Sequence, residues 1–296
     1  MGPLIGIPLL LVAVLGGYLG MGGAMSVLWQ PFEVLIVAGA AIATMIVGNP
    51  MHVVKDTLRS VSDLFTGKKV TESDYLDLLG LLYSILRSLK GQGMLQLESM
   101  IERPYESDLF KQYPSVLANP RAVNFLCDYL RLLSLGTAKP HEVESLMDEE
   151  IRILAKDFHR PSHTLQVMAD ALPALGIVAA VLGVIKAMGA INQPPEVLGQ
   201  LIGGALFGTF LGVFLSYGVV GPIAGLVRTN KDTQISYFLA IKSTLLAHLN
   251  GAAAQVAIEY GRKVLHIDAQ PSFNAVEQRT ILEADVIRHA KNRDAA

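Results

Sequence analysis

The chain has 296 residues, 51% of them hydrophobic and 17% charged, with a mean hydropathy of +0.42 and a formal net charge of −2. Average soluble domains carry about 25% charge, whereas here no Asp, Glu, Lys or Arg occurs from Met1 to Phe32, in 171–185 or in 197–227. That distribution excludes a soluble cytosolic enzyme, the balance of charge points away from nucleic acid, and the single Cys127 excludes an internal disulfide or a cysteine metal cluster.

In chain order, apolar runs predict membrane spans at Leu4–Leu19, Val34–Gly48, Ala171–Ile191 and within Leu201–Val227. The first two are shorter than the ~20 residues a span needs, so their ends extend into the Gly-rich turn between them. The first run lacks the cationic start of a cleavable signal. Between spans two and three, Thr71-Glu-Ser-Asp74 offers an N-cap for a helix over Tyr75–Leu89. Asn119-Pro120 starts a helix reaching about Ser134, and Pro140 starts another over His141–Phe158, which carries the acidic run Asp148-Glu149-Glu150. Helices are expected over Thr233–Leu249 and Ala252–Leu265, followed by a polar, frayed terminus of about 25 residues. The fold class is therefore an all-α integral membrane protein. Residues 1–48 supply transmembrane helices 1 and 2, 49–170 a cytoplasmic helical domain, 171–227 transmembrane helices 3 and 4, and 228–296 a helical tail.

Lys and Arg set the orientation. Neither occurs in Gly20–Pro31 or Asn192–Gln200, whereas 49–170 contains fourteen and 228–296 contains nine. Both charged regions, and both termini, are expected on the cytoplasmic side of the membrane.

Within the spans, Gly204, Gly208 and Gly212 recur every four residues, as do Ala179, Gly183 and Ala187. Such spacing lets helices approach closely, within one chain or between chains of a ring. Pro173 and Pro222 each remove a backbone donor and free a carbonyl, that of Ala169 and Gly218 respectively. Asp170 precedes Pro173 by three residues, so a kink, a free carbonyl and a carboxylate meet at one mouth and suggest a hinge or ion gate. Spans three and four hold no mid-depth carboxylate; Lys186 is placed to snorkel outward, and Glu33 precedes the second span at the interface. Thr209 is the notable mid-span hydroxyl, expected by default to bond back to its own helix. The chain cannot relay protons unaided, so a partner must supply the titratable group. His159 and His163 have i,i+4 spacing, but Pro161 lies between them and no nearby acid completes a metal motif, so no metal site is expected. No P-loop, GxSxG or HExxH motif occurs, and neither an enzyme nor a cofactor is expected.

Read together, Ala171-Leu-Pro-Ala-Leu-Gly-Ile-Val-Ala-Ala180 and Gly208-Thr-Phe-Leu-Gly212, followed by Tyr217 and Gly-Pro222, resemble the MotA family of bacterial flagellar stator subunits. The likeness extends to Gln30-Pro-Phe-Glu33, Met147-Asp-Glu-Glu150, Leu249-Asn-Gly251, Glu259-Tyr-Gly-Arg-Lys263 and Pro271-Ser-Phe273. It implies a homopentamer in the membrane lipid around a dimer of a peptidoglycan-anchored MotB-type protein, whose single span brings the missing aspartate. Pro173 and Pro222 match prolines that couple ion flow to movement, and Thr209 matches a threonine of the ion path. Glu98 matches an acidic residue that contacts the rotor protein FliG. The basic counterpart, usually Arg, is Lys90 here, with Arg87 one turn away; Lys keeps the charge but not the planar fork. Sodium-driven relatives usually carry a hydroxyl at the position of Ala180, which implies a proton channel.

Two rival readings are an energising channel of the ExbB/TolQ type and a membrane scaffold without ion flux. ExbB/TolQ relatives generally have three spans and an external N-terminus, so the additional amino-terminal span pair argues against the first.

Overall fold

A computed structural model describes residues 2–67, 69–92, 98, 100–136 and 139–280. Among the described residues the regular structure is helical: α1 (Gly2–Gly20), α2 (Pro31–Gly48), α3 (Met51–Thr66), α4 (Glu72–Gln92), two single turns α5 (Asp108–Lys111) and α6 (Pro114–Leu117), α7 (Pro120–Ser134), α8 (Pro140–Met188), α9 (Pro195–Phe214), α10 (Gly221–Leu249) and α11 (Ala254–Lys263). A π-helical stretch, Leu215–Val220, joins α9 to α10. Four helices, counting α9 through α10 as one, are long and apolar enough to cross a membrane. The chain is an all-α membrane protein.

Local chemistry explains several helix starts. The Thr71 amide and hydroxyl both donate to Asp74 Oδ2 (2.7 and 2.8 Å), and the Asp74 amide donates back to Thr71 Oγ1 at 3.4 Å, so each backbone amide at the head of α4 finds its acceptor on the other residue's side chain. Asn119 Oδ1 accepts from the Ala122 amide at 3.2 Å, with Pro120 at the first helical position of α7. At the end of α3, Gly67 takes a left-handed conformation (φ 75°) while its amide donates to Asp63.

The chain divides into two compact units. One comprises 1–69 and 158–229; the other comprises 70–157 and 230–296. These divisions follow packing, whereas the sequence boundaries at 48, 170 and 227 follow hydropathy. In the first unit, α1 buries none of its residues within the chain and exposes Leu4, Ile5, Leu9 and Val12, as a helix facing hydrocarbon does. Val37 and Ala41 of α2 pack with Leu172 and Ala179 of α8. The second unit has a conventional core. Leu78, Leu82 and Ile85 of α4, Leu126 and Leu130 of α7, and Phe238, Ile241 and Leu245 of α10 are all buried. Phe125 meets Phe238 edge-on, with ring centroids 5.4 Å apart.

Three expectations need correction. His141–Phe158 and Ala171–Ile191 are not separate helices but parts of one 49-residue helix that runs through Pro161 and Pro173 and stops at Met188. An internal proline removes one hydrogen bond, whereas 159–170 contains no glycine or asparagine to take the left-handed turn that commonly ends a helix. The fourth span likewise continues into the expected Thr233–Leu249 helix. The terminus is also ordered further than expected: residues 273–280 are helical, Val276 and Thr280 are buried, and Arg279 donates to Asp77 Oδ1 at 3.0 Å. The rest of that terminus, 281–296, lies outside the described residues.

Candidate functional site

The first unit contains a seam of small residues between α8 and α9. A Cβ built on Gly176 would stand 2.8 Å from the Gly208 carbonyl oxygen and 3.1 Å from Gly212 Cα. One on Gly183 would meet Ala205 Cβ at 2.6 Å, one on Gly208 would meet Ala179 Cβ at 2.8 Å, and one on Gly212 would meet the Leu172 carbonyl oxygen at 2.5 Å. The two helices therefore touch backbone to backbone through Gly176, Ala179 and Gly183 on one side and Ala205, Gly208 and Gly212 on the other. Both triplets have spacing three then four, which keeps one helix face in line. Of the small residues expected to form grooves, Gly208, Gly212, Ala179 and Gly183 face this seam. Gly204 instead lies under the Gln30 side chain, whose Nε2 would be 3.1 Å from an added Cβ. Sequence reasoning did not single out Gly176, although its spacing of three from Ala179 was a usable signal.

Ala180 and Thr209 flank the seam at one level. The Ala180 amide nitrogen lies 3.3 Å from a Cβ built on Gly208, and Thr209 Cα lies 3.3 Å from one built on Gly176. Both residues are half-buried. Among the described residues nothing hydrogen-bonds the Thr209 hydroxyl, in contrast to Thr44, which makes the usual back-bond to the Ala41 carbonyl at 2.9 Å. The expected back-bond of Thr209 is thus not made, and its hydroxyl stays available. Pro173 is half-buried next to Leu172, whose carbonyl borders Gly212. Asp170 is exposed and accepts from Gln166 Nε2 at 2.9 Å. Pro222 is exposed just past the π-helical stretch. There the Gly221 amide donates to Ser216, five residues back, so the regular register behind the expected release of the Gly218 carbonyl does not hold.

In the second unit Arg87 is half-buried and lines an open cleft of about 720 Å³ with Tyr83, Leu86, Leu133 and His248. Glu98 is exposed. The Lys90 side chain and residues 93–97 lie outside the described residues, so no geometry relates the three charges. The acidic run, by contrast, is engaged internally. Lys242 Nζ reaches Asp148 at 2.5 Å and Glu144 at 3.9 Å, Glu149 pairs with Arg152, and the Tyr129 hydroxyl donates to Glu150 at 2.8 Å. Burial, and then this bond to Glu150, push the Tyr129 phenol well above its ordinary range. Arg262, also buried, holds both carboxylate oxygens of Glu259 and donates to the Pro271 carbonyl at 3.1 Å. Two motifs nine residues apart are thereby joined, and sequence reasoning did not foresee this tie.

The comparisons with known proteins are consistent in direction. Residues 4–93 match the family model described as Motility protein A N-terminal, and 122–239 match that of the MotA/TolQ/ExbB proton channel family. The chain is 42% identical over 275 residues to Motility protein A of Escherichia coli (strain K12), covering 93% of each chain. It is 36% identical over 274 residues to the Chemotaxis protein LafT of Vibrio parahaemolyticus, covering 93% of this chain and 96% of that one. Among solved structures, C. jejuni MotAB superposes with a TM-score of 0.71 at 20% identity, over 91% of this chain and 98% of that one. The flagellar MotAB stator complex from Bacillus subtilis gives 0.66 at 22% identity, over 86% and 92%. These two show the same fold.

Proposed function

This chain belongs to the Motility protein A family, and we propose that it is a stator subunit of a bacterial flagellar motor, forming with a MotB-type partner a proton channel that couples ion flow to torque. It is a multi-pass protein of the inner membrane, and the Lys and Arg distribution supports cytoplasmic placement of both termini. The observation that carries the reading is the seam at Ala180 and Thr209. At this close-packed level the two spans offer the uncommitted Thr209 hydroxyl and no carboxylate, so the proton-carrying carboxylate must come from a partner span. A dimer of the partner inside a ring of five copies would meet that need.

In this reading, protonation of the partner aspartate removes a charge beside Thr209, and the seam responds. Gly and Ala faces interlock little, so α8 can shift along α9 at small steric cost. Pro173 on α8 and Pro222 beside the π-helical stretch mark where such a shift changes helix direction, with Asp170 at the inner mouth. Glu98, Lys90 and Arg87 would carry the movement to FliG through complementary charge.

Ala180 offers no side-chain oxygen, which favours protons over sodium. Swimming or swarming driven by this chain and its partner in a stator-less cell should stop with a protonophore and persist without sodium. Rotation speed that follows external sodium at fixed proton-motive force would overturn the choice of ion. An N-terminal reporter found outside the cell would favour the ExbB/TolQ arrangement instead.

A further inference from the structure

Helix α3 follows α2 after only Asn49 and Pro50, so it begins where a membrane span ends. Its inner face, Val53, Val54, Thr57, Ser60 and Leu64, is buried in the first unit. A second apolar line, Met51, Leu58 and Phe65, recurs every seven residues and stays exposed at 57%, 59% and 42%. Charge on the remaining surface is sorted by sign. Lys55 borders the exposed apolar line and Arg59 lies beside Lys55, whereas Asp63 and Asp56 lie further round, away from the line. All four are outside the buried face, and among the described residues neither Lys55 nor Arg59 forms an ion pair or side-chain hydrogen bond.

We propose that this edge of α3 binds anionic phospholipid headgroups of the bilayer surface at which α2 emerges. Met51, Leu58 and Phe65 enter the boundary between headgroups and acyl chains, and Lys55 and Arg59 bind phosphate at its level. Asp56 and Asp63 are kept clear of the lipid charge. An interfacial helix needs an apolar face with cations alongside it, and a protein partner would give no reason to place both acids away from the apolar line. The arrangement would fix the depth and rotation of the α2–α3 junction. The inference rests on the membrane spans and not on the motor reading.

The test uses the full-length protein in vesicles of phosphatidylcholine and phosphatidylglycerol, with brominated acyl chains on one lipid or the other. The single native tryptophan is removed by Trp29→Phe, and a reporter is introduced by Leu58→Trp or, as a mid-span control, Leu182→Trp. At position 58, brominated phosphatidylglycerol should quench several-fold more than brominated phosphatidylcholine at equal mole fraction, since two basic residues at an anionic surface enrich it by on the order of tenfold. The preference should fall to that of the position-182 control in the K55Q/R59Q variant and survive in K55R/R59K. Equal quenching by the two lipids at position 58, or a preference unchanged in K55Q/R59Q, would overturn the proposal. Absence of quenching by either lipid would mean that protein covers this edge, and would overturn it as well.

Discussion

Gly212 shows how much of the membrane unit depends on a missing atom. The backbone it faces, Leu172 O at 2.5 Å and Gly176 Cα at 2.9 Å from an added Cβ, has no side-chain freedom with which to yield. Gly212→Ala should therefore separate α8 from α9 at a cost of about 1–3 kcal/mol. Gly225→Ala, which meets nothing within 4 Å, should be neutral or gain about 0.5–1 kcal/mol of helix propensity. Thermal melting of the purified complex would separate the two, and equal shifts would contradict the seam. Cys127 gives a pH prediction in the second unit. Burial raises its thiol from 9.0 to about 11. A folded pKa above the unfolded one means that the contribution is complete below pH 9 and is lost as pH rises through 11, by on the order of 2 kcal/mol. Melting temperature should fall less steeply between these pH values in Cys127→Ala than in the unmodified protein.

The element that most distinguishes the fourth span is the π-helical stretch Leu215–Val220 directly before Pro222. A proline lacks its amide donor, and a wider turn ahead of it redistributes the carbonyls that a regular helix would leave unpaired. Pro222 is exposed, so its replacement removes little packing. Pro222→Ala should leave insertion and assembly intact while reducing swimming speed, because the alanine amide can draw the stretch back into regular register. Co-purification with the partner, measured beside motility, checks this; loss of the assembled complex would make Pro222 a folding residue instead. Helix α4 behaves more simply, since the Thr71–Asp74 exchange fixes its start through neighbours in sequence alone.

For the whole molecule the governing fact is that the spans are apolar and the chain has no acid within 171–185 or 197–227. A proton crossing ~30 Å of hydrocarbon needs a titratable relay at depth. The purified chain reconstituted without its partner should therefore show no proton flux above empty vesicles, and flux should appear when the partner is included. A robust current from this chain alone would refute the partner-supplied carboxylate.

The spans, the helix starts at Thr71 and Asn119, and the lack of a mid-depth acid were determined by the sequence itself, because each depends on residues adjacent along the chain. The same holds for the Gly and Ala spacing, which established that a close-packed face exists. Only the tertiary structure decided what meets it: Gly208 and Gly212 face α8, while Gly204 at the same spacing faces Gln30. Tertiary structure likewise decided that α8 runs unbroken through two prolines, that Lys242 engages Asp148, and that Arg279 reaches Asp77 from 202 residues away. The physical reason is common to these cases. Hydropathy and capping are local free energies, whereas the partner of an exposed face is chosen by whichever distant surface buries it best.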